Sequence, residues 1–260
     1  MSDASTRGPS AVGLPDQVRV CLFDLDGVLT RTAAVHATAW KDTFDAYLRQ
    51  RADAGGETFR EFDIRDDYNA HVDGKPRKDG VRDFLASRAV TLPEGQAQDG
   101  PDTATVEGVA TPKNEMVLAE LEEHGVTAYK GSLRYLAAVR AAGLRIAAVT
   151  ASANAEAVLE AGGFAEFIEA RIDGVVAERE HLKGKPAPDP FLAGARALGV
   201  EVSEAAVFED ALSGVQAGRA GKFGFVVGVN RVGQAQALLE HGADIVVDDL
   251  AELLQDGAHA

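Results

Sequence analysis

The chain has 260 residues, 46% of them hydrophobic, and a formal net charge of −15 at pH 7. That length permits a full hydrophobic core, either as one large domain or as a domain carrying an insertion. The charge opposes docking on nucleic-acid phosphates or anionic membranes through a broad basic face, so no nucleic acid and no membrane partner is expected, and an anionic substrate needs a local cation. Residues 1–17 are polar, contain Gly8, Pro9 and Pro15, and lack a signal-peptide pattern; a disordered tail on a cytoplasmic, monomeric protein is expected. No apolar run approaches the ~20 residues of a membrane helix. The single cysteine, Cys21, excludes an internal disulfide and reads as a buried, inert thiol.

Val20 to Phe23 is an apolar run of strand formers that ends in Asp24, Asp26 and Gly27. Side chains at i and i+2 of an extended segment point the same way, so the two acids can face one pocket at the strand's C-terminal edge, where open α/β sheets bind ligands. The spacing predicts a helix over Ala33 to Arg51, with Thr32 as its N-cap. Phe59 to Ala89 mixes short helical patterns with a basic turn over 73–80. Leu92 to Pro112, rich in Gly, Pro, Asp and Thr, reads as a long loop, and Asn114 to Glu123 as a helix closed by His124-Gly125.

Beyond this point the pattern changes. Helix 133–142, strand 145–149, a helix ending at Ala161, helix 190–198, strand 206–208, helix 212–220, strand 223–229, helix 234–240 and strand 245–247 follow one another. Strands alternating with helices of about ten residues indicate βαβ units. The expected fold class is α/β, a doubly wound, Rossmann-like parallel sheet built from 18–31 and 128–260. Residues 32–127 form an inserted, mostly helical cap.

Four features fall at strand ends or in the loops after them: Asp24-x-Asp26, Thr150-Ala151-Ser152, Lys185-Pro-Ala-Pro-Asp189 and Glu209-Asp210-Ala-Leu-Ser-Gly214. Together these resemble the four motifs of the haloacid dehalogenase-like phosphotransferase superfamily, over nearly the whole chain apart from the tail. The resemblance implies Asp24 as a nucleophile that forms an aspartyl phosphate and Asp26 as general acid and base. It implies Mg²⁺ bound by Asp24, Glu209, Asp210 and the Asp26 carbonyl, and phosphate held by Thr150, Ala151, Ser152 and Lys185. The second acid, Asp26, argues for phosphoryl transfer over halide displacement, which needs no protonated leaving oxygen.

Thr32-x-x-x-His36-x-x-x-Trp40, Gly74-x-x-Arg77 and Lys113-Asn114 resemble the β-phosphoglucomutase-like branch. The branch implies a small phosphorylated sugar as partner, contacted by His36, Trp40, Gly74, Arg77, Lys113 and Asn154, with Arg77 and Lys113 holding a distal phosphate. The expected reaction interconverts β-glucose 1-phosphate and glucose 6-phosphate through a bisphosphate. A phosphatase for a sugar phosphate or another small ester is the alternative; a silent phospholigand-binding protein is disfavoured by the intact acids. The sequence departs from the branch at Ala153, Ala211 and Gly80, and in the 92–112 loop.

Overall fold

The computed structural model describes residues 8–55 and 58–254. The chain divides into two compact units, one of residues 1–31 with 126–260 and one of residues 32–125.

The first unit is built on six parallel strands: β1 (Val20–Phe23), β2 (Arg145–Val149), β3 (Ala170–Ile172), β4 (Ala205–Glu209), β5 (Phe225–Val229) and β6 (Ile245–Val247). Their spatial order is β3-β2-β1-β4-β5-β6. This is the doubly wound arrangement, whose order reverses on either side of β1, and a ligand crevice opens at the C-terminal ends of strands at that reversal. The strands are rich in Val and Ala because both faces are covered. β1 and β4 are buried at every position. Phe23 pairs with Phe208 across the β1–β4 register. Their rings stack at 4.2 Å, and Tyr135 meets both edge-on. The ladder runs one residue further, with Asp24 N donating to Phe208 O at 2.9 Å.

Residues 8–17, expected in the disordered tail, are ordered, whereas residues 1–7 lie outside the described residues. Pro9–Val12 forms a 3-10 turn. Val12 and Leu14 are buried, and the Tyr135 hydroxyl donates to Val12 O at 2.9 Å. Two apolar side chains and a captured carbonyl offset the ordering entropy that a polar tail cannot.

The second unit contains α1 (Ala33–Asp53), a π-helical turn (Tyr68–Val72), α2 (Arg77–Ser87) and α3 (Val106–His124). Its core joins Trp40, Phe44, Phe62, Phe84 and Val109, among others. Thr32 precedes α1 but makes no side-chain capping bond. The basic turn is shorter than expected, since α2 begins at Arg77 after the Pro76 N-cap. Gly80 sits inside α2 because a Cβ there would stand 3.1 Å from Val72 Cγ1 and 3.3 Å from Trp40 Cζ2.

The expected loop over 92–112 ends early. Residues 106–112 belong to α3, which Thr105 caps by accepting from Gly108 N at 3.0 Å, and Pro112 lies within the helix. Burial of Val106, Val109 and Ala110 outweighs the one backbone bond that proline removes.

The first unit's remaining helices are α4 (Lys130–Ala141), α5 (Ala155–Ala161), α6 (Gly174–Arg179), α7 (Asp189–Ala197), α8 (Leu212–Ala220) and α9 (Ala235–His241). β3 and α6 are not expected from the sequence pattern.

Candidate active site

Asp24 follows the last residue of β1, and Glu209 ends β4 beside it, so adjacent strands deliver two carboxylates to one point. Asp210 is the next residue. Asp24 is 5% exposed, Glu209 0% and Asp210 7%. One oxygen from each lies within 4.8 Å of the other two. Glycine makes this crowding possible. At Gly27, with φ +94°, a Cβ would stand 1.8 Å from Asp210 Oδ2, and at Gly214 it would stand 2.0 Å from the Glu209 carboxyl carbon.

Lys185 is buried among these acids. Its Nζ donates to Asp24 Oδ1 at 2.5 Å, Glu209 Oε2 at 2.7 Å and Val149 O at 3.3 Å. The ammonium also lies 4.9 Å from the Phe191 ring centroid. An ammonium has three N–H donors, and all three have acceptors here. Lys185 is therefore placed as the counter-ion of Asp24 and Glu209, and a phosphate oxygen would have to share its donors with them.

Lys185 brings one positive charge to the two carboxylates it bonds, and Asp210 stands beside them. Burial and the neighbouring Glu209 charge hold the Asp24 carboxyl well above the usual range, and Lys185 only partly offsets them. Burial pulls Lys185 down, but Asp24 and Glu209 outweigh it and keep its ammonium charged. An all-oxygen donor set with this charge deficit fits a hard divalent cation, which would return Asp24 to its ionised form.

The loop after β2 adds hydroxyls. Thr150 Oγ1 donates to Asp26 Oδ2 at 3.4 Å and accepts from Ser152 N at 3.1 Å. Ser152 Oγ accepts from Asn154 N at 3.2 Å. Gly174 supports this turn, since its N–H donates to Ser152 O and a Cβ there would come 2.8 Å from Ala151 O. Asp26 is half-buried two residues beyond Asp24.

In the helical unit, Lys113 Nζ lies 2.8 Å from His36 Nδ1 and 5.2 Å from the Trp40 ring centroid. An ammonium only donates, so a hydrogen bond at this distance requires His36 Nδ1 to accept. Trp40 is 3% exposed and stacks on Phe44 at 4.9 Å, which makes it part of the hydrophobic core that supports Lys113. Gly74 turns the chain at φ +69° ahead of α2. Of the cations nearby, Lys75 pairs with Asp83 and Lys78 with Glu107, while Arg77 has no ion pair among the described residues. The structure thus groups Asp24, Asp26, Thr150, Ala151, Ser152, Asn154, Lys185, Glu209 and Asp210 in the first unit. It places His36, Trp40, Gly74, Arg77 and Lys113 in the second.

Two side chains outside all the motifs also reach this site. Arg231 Nε donates to Gly27 O at 2.6 Å, and Gln234 Nε2 to Asp210 O at 2.9 Å. Their position just past a strand's C-terminal end is the only sequence signal that could have found them.

Residues 18–222 match the model of the haloacid dehalogenase-like hydrolase family, and the chain belongs to that family. Divalent-metal chemistry follows from the family and agrees with the donor set above. Among known proteins, the chain is 55% identical over 246 residues to a β-phosphoglucomutase of Mycobacterium tuberculosis, covering 94% of each. It is 28% identical to the validoxylamine A 7'-phosphate phosphatase of Streptomyces hygroscopicus subsp. limoneus, covering 90% of this chain and 95% of that protein. A crystal structure of β-phosphoglucomutase from Clostridium difficile shares the fold, with a TM-score of 0.69 and 24% identity over 91% of this chain and 93% of that one. No helix among the described residues is long and apolar enough to cross a membrane.

Proposed function

We propose that the protein is a Mg²⁺-dependent β-phosphoglucomutase that interconverts β-glucose 1-phosphate and glucose 6-phosphate. The observation that supports this most is the buried Asp24–Glu209–Asp210 cluster with the Lys185 ammonium against it, set at the sheet's reversal point in a chain so similar to a mutase.

A carboxylate oxygen of Asp24 attacks phosphorus, the bond to the sugar oxygen breaks, and Asp26 gives that oxygen its proton. In the return half-reaction Asp26 takes the proton from the attacking sugar hydroxyl, and Asp24 leaves phosphorus. The bond between Thr150 Oγ1 and Asp26 orients the acid. Lys185 keeps negative charge on Asp24 from accumulating unbalanced beside the incoming phosphate. Bound Mg²⁺, held by Asp24, Glu209 and Asp210 with the Asp26 carbonyl, would supply charge neutralisation for the phosphoryl oxygens. Arg77, which has no ion pair among the described residues, and Lys113 serve as the cations for the distal phosphate of the bisphosphate.

A sugar-phosphate phosphatase is the second reading, favoured by the relative that acts as a phosphatase. One assay separates the two. Purified protein with Mg²⁺, β-glucose 1-phosphate and a trace of glucose 1,6-bisphosphate should form glucose 6-phosphate with little free phosphate. Phosphate release without the isomer would overturn the mutase reading, and Asp24→Asn should abolish both signals.

A further inference from the structure

The loop between β5 and α9 lies outside every recognised motif, yet it grips both loops that carry the acids. Arg231 spreads its guanidinium over three carbonyls: Nε to Gly27 O at 2.6 Å, Nη2 to Val28 O at 3.4 Å and Nη1 to Asp248 O at 2.7 Å. Its Cζ lies 3.6 Å from the Tyr129 ring centroid, and Tyr129 N in turn donates to Leu29 O. Three residues on, Gln234 Nε2 donates to Asp210 O at 2.9 Å.

The loop is itself braced. Asn230 Oδ1 accepts from Gln234 N, Asn230 Nδ2 donates to Asp248 Oδ1, and Asn230 N donates to Val247 O at the end of β6. A planar guanidinium stacked on a ring and bonded on three sides has little freedom, and a lysine cannot reproduce that fork.

From this geometry we infer that the Asn230–Gln234 loop is a clamp. Arg231 sets the backbone of the Asp26–Val28 loop, and so the aim of the acid/base, while Gln234 sets the Asp210 backbone, and so the metal-ligand cluster. Both are positioning residues, since neither touches the reacting atoms. The inference rests on the phosphoryl-transfer roles given above to Asp26 and Asp210.

The test compares Arg231→Lys, Arg231→Met and Gln234→Met with the unaltered full chain at 25 °C, after circular dichroism has verified the folded fraction. Turnover is read on β-glucose 1-phosphate and, separately, on p-nitrophenyl phosphate, and Mg²⁺ affinity is read by calorimetry without substrate. Arg231→Lys is expected to lower kcat by about 10–100-fold while leaving KM and Mg²⁺ affinity within about twofold, because a small misplacement of a catalytic group acts on the chemical step. Gln234→Met is expected to weaken Mg²⁺ binding by about 10–100-fold, as loss of a ligand's supporting bond does elsewhere, with kcat recovering at saturating metal.

If the variants lower only the melting temperature and leave kcat and Mg²⁺ affinity unchanged, the clamp is overturned. Failure of both Arg231 variants to fold would assign that residue to stability alone and also count against it. If the unaltered protein hydrolyses p-nitrophenyl phosphate but forms no glucose 6-phosphate, the mutase reading fails, while the same kcat and affinity pattern, read on the ester, still decides the clamp.

Discussion

Gly27 and Asp210 are so close that a methyl group on the glycine would stand 1.8 Å from the carboxylate Oδ2. Gly27 also holds φ +94°, which other residues reach only under strain. Gly27→Ala should therefore lose about 1–3 kcal/mol of stability from the backbone. It should also turn Asp210 out of the cluster, weakening divalent-metal binding by at least about tenfold. Thermal unfolding and calorimetric Mg²⁺ titration check the two effects separately, and wild-type metal affinity in the variant would show that Asp210 is not a ligand.

Lys185 is the only ammonium bonded to Asp24 and Glu209 among the described residues, and all three side chains are buried. Lys185→Met would leave two acids without a counter-ion and should destabilise the metal-free protein by about 3–5 kcal/mol at neutral pH. The sign with pH follows from Asp24. Without the lysine its carboxyl is held higher still, so its protonated form is favoured and the loss shrinks as the solution becomes more acidic. Urea unfolding of the variant at about pH 7 and about pH 5 measures this, and added Mg²⁺ should restore part of the loss by mass action.

Arg77 has no ion pair among the described residues, although the chain carries 41 acidic residues against 26 basic ones. Arg77→Ala should reduce isomerisation by roughly 10–100-fold, the equivalent of one charged hydrogen bond to a phosphate. Hydrolysis of a simple monophosphate ester should fall much less. Comparing the two rates in one preparation checks this, and unchanged mutase turnover would remove Arg77 from the site.

Burial in β1 pushes the Cys21 thiol well above the ordinary cysteine range. The folded chain therefore keeps a proton that the unfolded chain loses from about pH 8.5 upward. Folding stability contributed by this group is complete below that point and falls as pH rises. Cys21→Ala should show a shallower alkaline decline in urea-unfolding free energy than the parent, and the native parent should resist thiol reagents until it unfolds. Equal slopes would show that the thiol takes no part.

Much of the site was legible because its chemistry is written in side chains at strand ends: Asp24, Asp26, Thr150, Lys185, Glu209 and Asp210 are all residue types that carry charge or a hydroxyl. Arg231 and Gln234 were illegible for the complementary reason, since their partners are the carbonyls of Gly27, Val28 and Asp210, which have no sequence signature. β3 has three residues and α6 six, both shorter than any window over which periodicity can be read.

The start of α3 was obscured by Thr105, Gly108, Thr111 and Pro112, all of which read as breakers. In the fold Thr105 is the cap, and Gly108 is small because a Cβ would come 2.2 Å from Thr103 O. The spacing of Val106, Val109, Ala110, Lys113 and Val117, all buried, carried the helical signal beneath them.

The central place of β1 has a consequence for how the chain assembles. Of the six strands described, β1 is made before the others, yet both its sheet partners lie far downstream, β2 at Arg145–Val149 and β4 at Ala205–Glu209. Lys185, which balances the charge on Asp24, is 161 residues away in sequence. The helical unit is made entirely of residues between β1 and β2, and its hydrophobic core is drawn from residues 40–110. Local contacts form faster than distant ones, so this unit can condense while the strand that leads to the nucleophile waits unpaired. The earliest of these six strands is thus among the last to find its neighbours, and the reactive centre comes together only near the end of folding.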